Sequence, residues 1–259
     1  MTIAASQSGV DRDRVRSLKN VEDARFAAAH PRSAALMERG RAVMPNGVPM
    51  SWLVGSYHHL PMWVAEGRGA RFTDVDGHTY HDFNIADMSM FCGYAPEPLV
   101  RAVSERMARG NQFLLPGEDA IVVSEELGRR FGLPKWQYTS SATHANTEVI
   151  RVARVVTGRE RVLMFDGKYL GHFDEALVEL DDDGRLVIEE RGVPADTVDG
   201  TVIAPFNDIP ALARALARRD VAVVLTEAAI TNNIGLLLPD DGFHDALRRI
   251  TRETGTLLA

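Results

Sequence analysis

Tyr138-Thr-Ser-Ser-Ala-Thr-His-Ala-Asn146 reads as a strand passing into a helix through a turn of small, hydroxyl-bearing residues. A helix start leaves its first backbone N–H groups unpaired and carries partial positive charge, so it suits an anion such as phosphate. Small side chains at Ser141, Ala142 and Thr143 leave room for an anion to reach those amides, and the two hydroxyls add donors. Thr147-Glu-Val-Ile-Arg-Val-Ala-Arg-Val-Val-Thr157 continues with apolar residues at helical spacing. On its own the segment fits an ordinary N-cap as well as an anion-binding turn, so its meaning rests on what flanks it.

Downstream the chain alternates. Arg161-Val-Leu-Met-Phe165, Gly200-Thr-Val-Ile-Ala204 and Val221-Ala-Val-Val-Leu-Thr226 read as strands, and Thr256-Leu-Leu-Ala259 as the start of another. Pro210–Arg219 and Phe243–Thr254 read as helices between them. Almost wholly apolar strands alternating with helices predict an α/β domain whose sheet is largely parallel and covered on both faces. Residues 179–200, with the Asp181-Asp-Asp-Gly184 turn, interrupt this as a polar excursion.

Upstream, Glu118–Arg130 and Pro96–Arg109 read as helices, and Leu99, Val100, Val103 and Met107 share one face of the latter. Between Met62 and Phe83 short strands are joined by turns. Asp74-Val-Asp-Gly77 is a hairpin signal between residues 70–73 and 78–83. Asp-x-Asp-Gly can also open a calcium loop, but the twelve-residue ligand pattern is absent, which favours the turn. Residues 21–43 read as a helix that Pro31 either interrupts or starts, and residues 1–20 as a polar, mobile lead. His78 and His81 alternate poorly for joint metal binding and lack an evident third ligand, so both read as core or surface histidines and no metal is expected.

The net charge of −7, with no basic block, argues against nucleic acid or anionic membrane as partner. No stretch reaches membrane-spanning length and the first residues lack a signal-peptide core, so the expected location is the cytoplasm. A single cysteine, Cys92, suits a reducing compartment, and its neighbours Met88, Met90 and Phe91 predict a buried thiol. Gly-x-Gly-x-x-Gly and Gly-x-x-x-x-Gly-Lys-Ser/Thr are both absent, which counts against other common phosphate-binding α/β enzymes.

The order of motifs from about residue 35 to 259 resembles the class III (ω-type) aminotransferases of pyridoxal-phosphate fold type I. The nearest subgroup is that of glutamate-1-semialdehyde aminomutases and β-amino-acid aminotransferases. Met44-Pro-Asn-Gly-Val48 is similar to the family's Pro-Gly-Gly-Val loop, and Gly67–Phe83 to its Gly-x-Gly-Ala…Asp-x-Asp-Gly hairpin. Thr157-Gly-Arg159 through Tyr169-Leu-Gly171 resembles its Thr-Gly-Arg…Tyr-His-Gly segment, and Leu225-Thr-Glu-Ala228 its Val-Glu-Pro. The resemblance implies a three-layer α/β/α domain over residues 76–259, with residues 1–75 contributing to a small domain. It implies pyridoxal 5'-phosphate as cofactor, a small amine or keto-acid substrate, and a homodimer. Ser141-Ala142-Thr143 stand at the family's Ser-Gly-Thr phosphate cup, with Ala142 replacing the glycine by another small residue, and Tyr169 matches the aromatic residue over the pyridine ring.

Glu227, at the end of a buried strand, is placed to contact the ligand, although a structural carboxylate fits nearly as well. Asn232 or Asn233 lines the same pocket in this reading, and Trp52 a substrate entrance, with a packed aromatic as its commoner alternative. Three departures stand out. His144 replaces a glutamate, Leu170 replaces the family's histidine, and Met50-Ser-Trp-Leu53 lacks the arginine that grips a substrate carboxylate.

The resemblance further implies an aspartate that pairs with the pyridinium nitrogen, just after the Gly255-Thr-Leu-Leu258 strand, and beyond it the lysine that forms the Schiff base. Both fall past Ala259, and the three lysines present, Lys19, Lys135 and Lys168, are not in that place. Lys168 beside Tyr169 reads as a solvated loop lysine. The expectation is therefore a transaminase or aminomutase whose residues 1–259 alone do not turn over. The alternative is a non-catalytic remnant that binds the cofactor or pairs with another subunit.

Overall fold

The computed structural model describes residues 10–55, 59–232 and 235–259. Its contacts group the described residues up to 118 and those from 119 onward into two compact units.

In the first unit, α1 (Arg12–Ala29) and α2 (Pro31–Arg41) meet at His30, with Pro31 at the first position of α2, where its missing N–H costs nothing. The expected mobile lead to residue 20 is corrected from residue 12 onward. Asp11 caps α1 by accepting from the N–H groups of Asp13 and Arg14, which lets the polar stretch hold a helix. Gly40 permits a close approach: a Cβ there would stand 2.2 Å from the carbonyl oxygen of Gly47, in the Pro-Asn-Gly turn after α2. A short helical turn, α3 (Trp52–Gly55), follows.

Three antiparallel strands, β1 (Val64–Arg68), β2 (Arg71–Asp74) and β3 (Thr79–His81), form the predicted meander. Asp74 Oδ1 accepts from the N–H groups of Asp76 and His78, closing the hairpin turn. Burial pushes the Asp74 carboxyl up, but hydrogen bonds from the His78 N–H, the His78 ring and the Tyr80 hydroxyl prevail and hold it at about 2. Asp76 reaches out of the same turn to the start of α2. Its carboxylate accepts from Arg32 N–H at 2.7 Å, Ser33 N–H at 3.0 Å and the Ser33 hydroxyl at 2.8 Å. A helix whose own N-cap residue, His30, makes no side-chain cap is thus capped from across the hairpin. The predicted helix near residue 100 is α4 (Glu97–Met107). Cys92 is exposed, against expectation. Its neighbours Met88 and Phe91 are themselves 59% and 77% exposed, so this stretch has no apolar layer to enter.

The second unit opens with α5 (Asp119–Phe131) and α6 (Ala142–Thr157). The expected strand ahead of α6 does not form. Among the described residues nothing pairs with residues 136–140, and an extended segment without a ladder partner is not a strand. Then come β4 (Arg161–Phe165), β5 (Val178–Leu180), β6 (Leu186–Ile188), β7 (Thr201–Ala204), α7 (Ile209–Leu216) and β8 (Val221–Val224). β9 (Ile230–Asn232), β10 (Gly235–Leu237), α8 (Phe243–Thr254) and β11 (Leu257–Leu258) complete it. The polar excursion carries an unforeseen hairpin, β5–β6, folded round Asp181, whose carboxylate accepts from the N–H groups of Asp183 and Arg185.

The central sheet has the order β11-β8-β4-β7, and each neighbouring pair is parallel. Leu163 and Phe165 of β4 point to one face, where they meet Leu212 and Leu216 of α7 and Phe243, Leu247 and Ile250 of α8. Val162 and Met164 point to the other, against Ile150 and Ala153 of α6. This is the α/β/α layering that the resemblance implies. In β8 the alternation slips: Ala222 and Val223 both join the α6 face, while Val221 and Val224 join the other. The register steps from Arg161–Val221 to Val162–Val223, so a bulge lets one strand face both layers without exposing an apolar residue. Phe165, Phe206 and Phe243 pack edge to face with centroids 4.7–5.5 Å apart. Arg159 fixes the far edge, donating to the carbonyls of Val221 and Thr254 and to the Thr256 hydroxyl, and so places cationic charge at the end of α8. Among the described residues no helix is long and apolar enough to cross a membrane.

Asp76→Ala removes the acceptors that hold the start of α2. Hydrogen exchange at the Arg32 and Ser33 amides should speed up about tenfold, with amides of the central sheet unchanged. Unchanged exchange at those two amides would show that the carboxylate is not the cap.

Candidate functional site

Parallel strands present their carboxyl ends at one edge of the sheet, and the loops leaving that edge form the usual ligand crevice. The loop after β4 and the loop after β8, carried by neighbouring strands, both leave there. α6 runs back across the sheet before the tight turn at Gly158 into β4, so its N-terminus returns to the same edge.

The helix start is built by Ser141 and Thr143. Ser141 is extended, with φ −162° and ψ 162°, and its hydroxyl oxygen accepts from His144 N–H at 3.1 Å. Thr143 Oγ1 accepts from His172 N–H at 3.1 Å, joining the helix to the β4 loop. Each hydroxyl acts as acceptor within the protein and so keeps its own proton to donate outward. The Ala142 and Thr143 N–H groups precede the first intrahelical donor, Ala145 N–H, and are the open donors of the helix start. Ser141 is therefore the N-cap of α6, as the first of the two readings has it.

Gly171 makes the approach possible. Its φ is +109°, and a Cβ there would lie 2.5 Å from Thr143 Oγ1 and 3.0 Å from Thr143 Cα. Asn146 Nδ2 donates to the Leu170 carbonyl at 2.7 Å, one turn further along α6. Leu170, in place of the family's histidine, is buried in the α6-face layer and anchors the loop from beneath. Tyr169 projects from the same loop and is 74% exposed. Its N–H donates at 3.0 Å to Glu227 Oε1. The other oxygen of Glu227 accepts from the Thr231 N–H at 3.1 Å and from the Thr231 hydroxyl. Both oxygens of Glu227 thus tie protein loops together, as the structural alternative has it.

Lys168 corrects an expectation. It is not solvated: Nζ donates to the Val178 carbonyl at 2.6 Å, and burial pushes its ammonium pKa down against the opposing charges of Glu189, Glu179 and Asp166. Packing beside β5 fixes the side chain there, which neighbouring residue types alone did not signal. His144 is exposed and sits 3.6 Å from Glu148. Trp52 belongs to the other unit, where it opens α3 with its side chain half exposed. Asn232 ends β9, while its side chain and all of Asn233 lie outside the described residues. Ser141, Ala142, Thr143, Tyr169 and Glu227 thus share the carboxyl edge of one sheet. Gly171, His172 and Thr231 complete the grouping. They carry no reactive side-chain signal in sequence, since Gly171 and His172 act through backbone and space.

Comparison with known proteins gives the family and the fold. The sequence profile of the family Aminotransferase class-III matches residues 54–259. The chain is 37% identical over 235 residues to the glutamate-1-semialdehyde 2,1-aminomutase of Gemmatimonas aurantiaca, which covers 88% of this chain and 53% of that one. A variant of the glutamate-1-semialdehyde-aminomutase of Pseudomonas aeruginosa PAO1, solved in complex with PMP, superposes with TM-score 0.90 at 41% identity. That match covers 97% of this chain and 56% of the other. A transaminase solved with PLP bound matches with TM-score 0.79 at 31% identity, over 88% of this chain and 54% of its own. The chain spans about half the length of the curated relatives it matches.

Gly171→Ala should force the loop off Thr143 and cost about 1–3 kcal/mol of stability, read as a lower melting temperature. A melting curve that superposes on the parent's would mean the loop accommodates a Cβ and that the approach is not tight.

Proposed function

The chain belongs to the class III aminotransferases, and on that premise we propose that it seats the phosphate of pyridoxal 5'-phosphate at the N-terminus of α6. The observation that carries this is the pair of open amides, Ala142 and Thr143, flanked by two hydroxyls whose oxygens are already occupied and whose protons are not. A phosphate dianion matches that donor set in sign and in number of acceptors. No basic side chain is required, because helix dipole and amides supply the positive potential.

Ser141 and Thr143 donate to phosphate oxygens while holding, respectively, the helix start and the Gly171-His172 turn. The small side chain of Ala142 leaves the amides open. Tyr169 offers its exposed ring as a stacking face for the cofactor ring, at a height fixed by the Glu227 bond to its N–H. Glu227 positions the two loops through both of its oxygens. Bound here, the cofactor would supply an electron sink for charge developing next to a substrate amine. The substrate class we assign to the whole protein is an amino acid or amino ketone, and the reaction amine transfer or its intramolecular form. Support comes from the aminomutases and transaminases that the chain resembles over most of its length. The arginine missing from Met50-Ser-Trp-Leu53 favours a substrate whose acid group is held elsewhere or absent. We also assign a homodimer. Leu99, Val103 and Met107, on one face of α4, are 47–59% exposed, the pattern of a surface built to be covered.

The test is a binding titration of the chain with pyridoxal phosphate and with pyridoxal, followed by the cofactor's absorbance. Pyridoxal phosphate should bind and pyridoxal should bind at least tenfold more weakly. Thr143→Val should weaken the phosphate form by about 10- to 100-fold, the loss of one charge-assisted hydrogen bond. Equal affinity for the two aldehydes, or no effect of Thr143→Val, would remove the phosphate seat from α6.

A further inference from the structure

In the first unit three side chains from distant parts of the sequence converge: His30, between α1 and α2, and Asp74 and His78, in the β2–β3 turn. His30 Nε2 lies 3.3 Å from Asp74 Oδ2, and His78 Nδ1 lies 3.0 Å from the same oxygen. All three ligand atoms fall within 4.8 Å of one another. The joint site foreseen as implausible for His78 with His81 is instead one of His78 with His30, a partner 48 positions away in sequence. We propose that His30, Asp74 and His78 bind a divalent transition-metal cation of the Zn2+ class.

Two features of the cluster point to a cation. The first is the tautomer of His30. His30 Nδ1 lies 2.6 Å from the Phe26 carbonyl oxygen, which can only accept, so Nδ1 carries the hydrogen. In a neutral ring Nε2 then presents its lone pair, and it does so toward the carboxylate oxygen of Asp74. The one nearby hydroxyl proton, on Tyr80, is shared between His30 Nε2 at 2.9 Å and Asp74 Oδ2 at 3.1 Å. The His78 ring faces the same Asp74 oxygen at 3.0 Å, so three side chains that can each offer a lone pair, two of them only 5% and 0% exposed, converge on one point. A cation there would be held by all three.

The second is the arrangement around the ligands. A metal-bound imidazole characteristically donates its other N–H to a carbonyl or carboxylate, which fixes its tautomer and ring orientation, and His30 does this with Phe26. Asp74 Oδ1 is held by two backbone N–H groups at 2.8 and 2.9 Å, which leaves Oδ2 aimed at the cluster. Two imidazoles and one carboxylate suit Zn2+, and ligand atoms on a tetrahedral Zn2+ stand roughly 3.3 Å apart, close to the two edges already formed. His78, 44% exposed, supplies the route in, and its rotation closes the third edge. The metal would fasten the α1–α2 joint to the hairpin, beside the Asp76 cap.

The experiment is a Co2+ titration of the full chain carrying Cys92→Ser, which removes the thiol as a competing ligand, with Zn2+ as competitor. The expected result is visible absorption of nitrogen- and oxygen-bound Co2+ that saturates at one equivalent and is displaced by Zn2+. His78→Gln, at an exposed position, should weaken binding at least tenfold, whereas His81→Gln, next to it in the hairpin but outside the cluster, should leave it unchanged. In the unaltered chain, Zn2+ should shift the His30 and His78 ring resonances together. Absent absorption at one equivalent, equal affinity in His78→Gln, or a His30 ring that responds to pH but not to Zn2+ would overturn the proposal and leave a proton as the shared charge.

Discussion

Parallel pairing of β4 with both β7 and β8 is the constraint on which the second unit depends. Parallel strands need crossovers, and their crossovers lay helices over both faces of the sheet. β4 therefore has to be apolar along both rows, and Val162, Leu163, Met164 and Phe165 are all fully buried. The same geometry sends every strand's carboxyl end to one edge and turns the N-terminus of α6 toward it. The candidate phosphate seat is a consequence of the sheet's polarity, with Thr143 and Gly171 adjusting the fit.

This explains what could be read from sequence. Four-residue runs such as Val221-Ala-Val-Val224 and the cap at Ser141 are local signals, and they fixed the central strands and the helix start. Sequence did not disclose that Tyr138-Thr139 would lack a strand partner, because pairing is a property of the neighbour. Nor did it disclose the bulge at Ala222, which depends on which faces α6 and α8 happen to cover. At the site, Ser141, Thr143 and Tyr169 were legible through a family motif. For Glu227 the structural role stood as one of two alternatives, and the burial of Lys168 was not legible, since each depends on a carbonyl or amide brought from elsewhere in the chain.

The first unit follows a different logic. Its strands are short and its helices half exposed, and buried polar groups hold it together. One hairpin turn, residues 74–78, closes itself through Asp74, caps α2 through Asp76 and faces His30 through Asp74 and His78. The Asp-x-Asp-Gly pattern that resembles a family signature is here a hub of hydrogen bonds, with each aspartate serving a separate element. His30 joins this hub only through the bend that Pro31 imposes, so its role was invisible in the local sequence.

Amide NMR of the chain during a pyridoxal phosphate titration tests the central claim most directly. The account predicts the largest shifts at Ala142 and Thr143, with His172 and Tyr169 following through their hydrogen bonds to Thr143 and Glu227. Shifts that leave the first turn of α6 unmoved and gather elsewhere would contradict it.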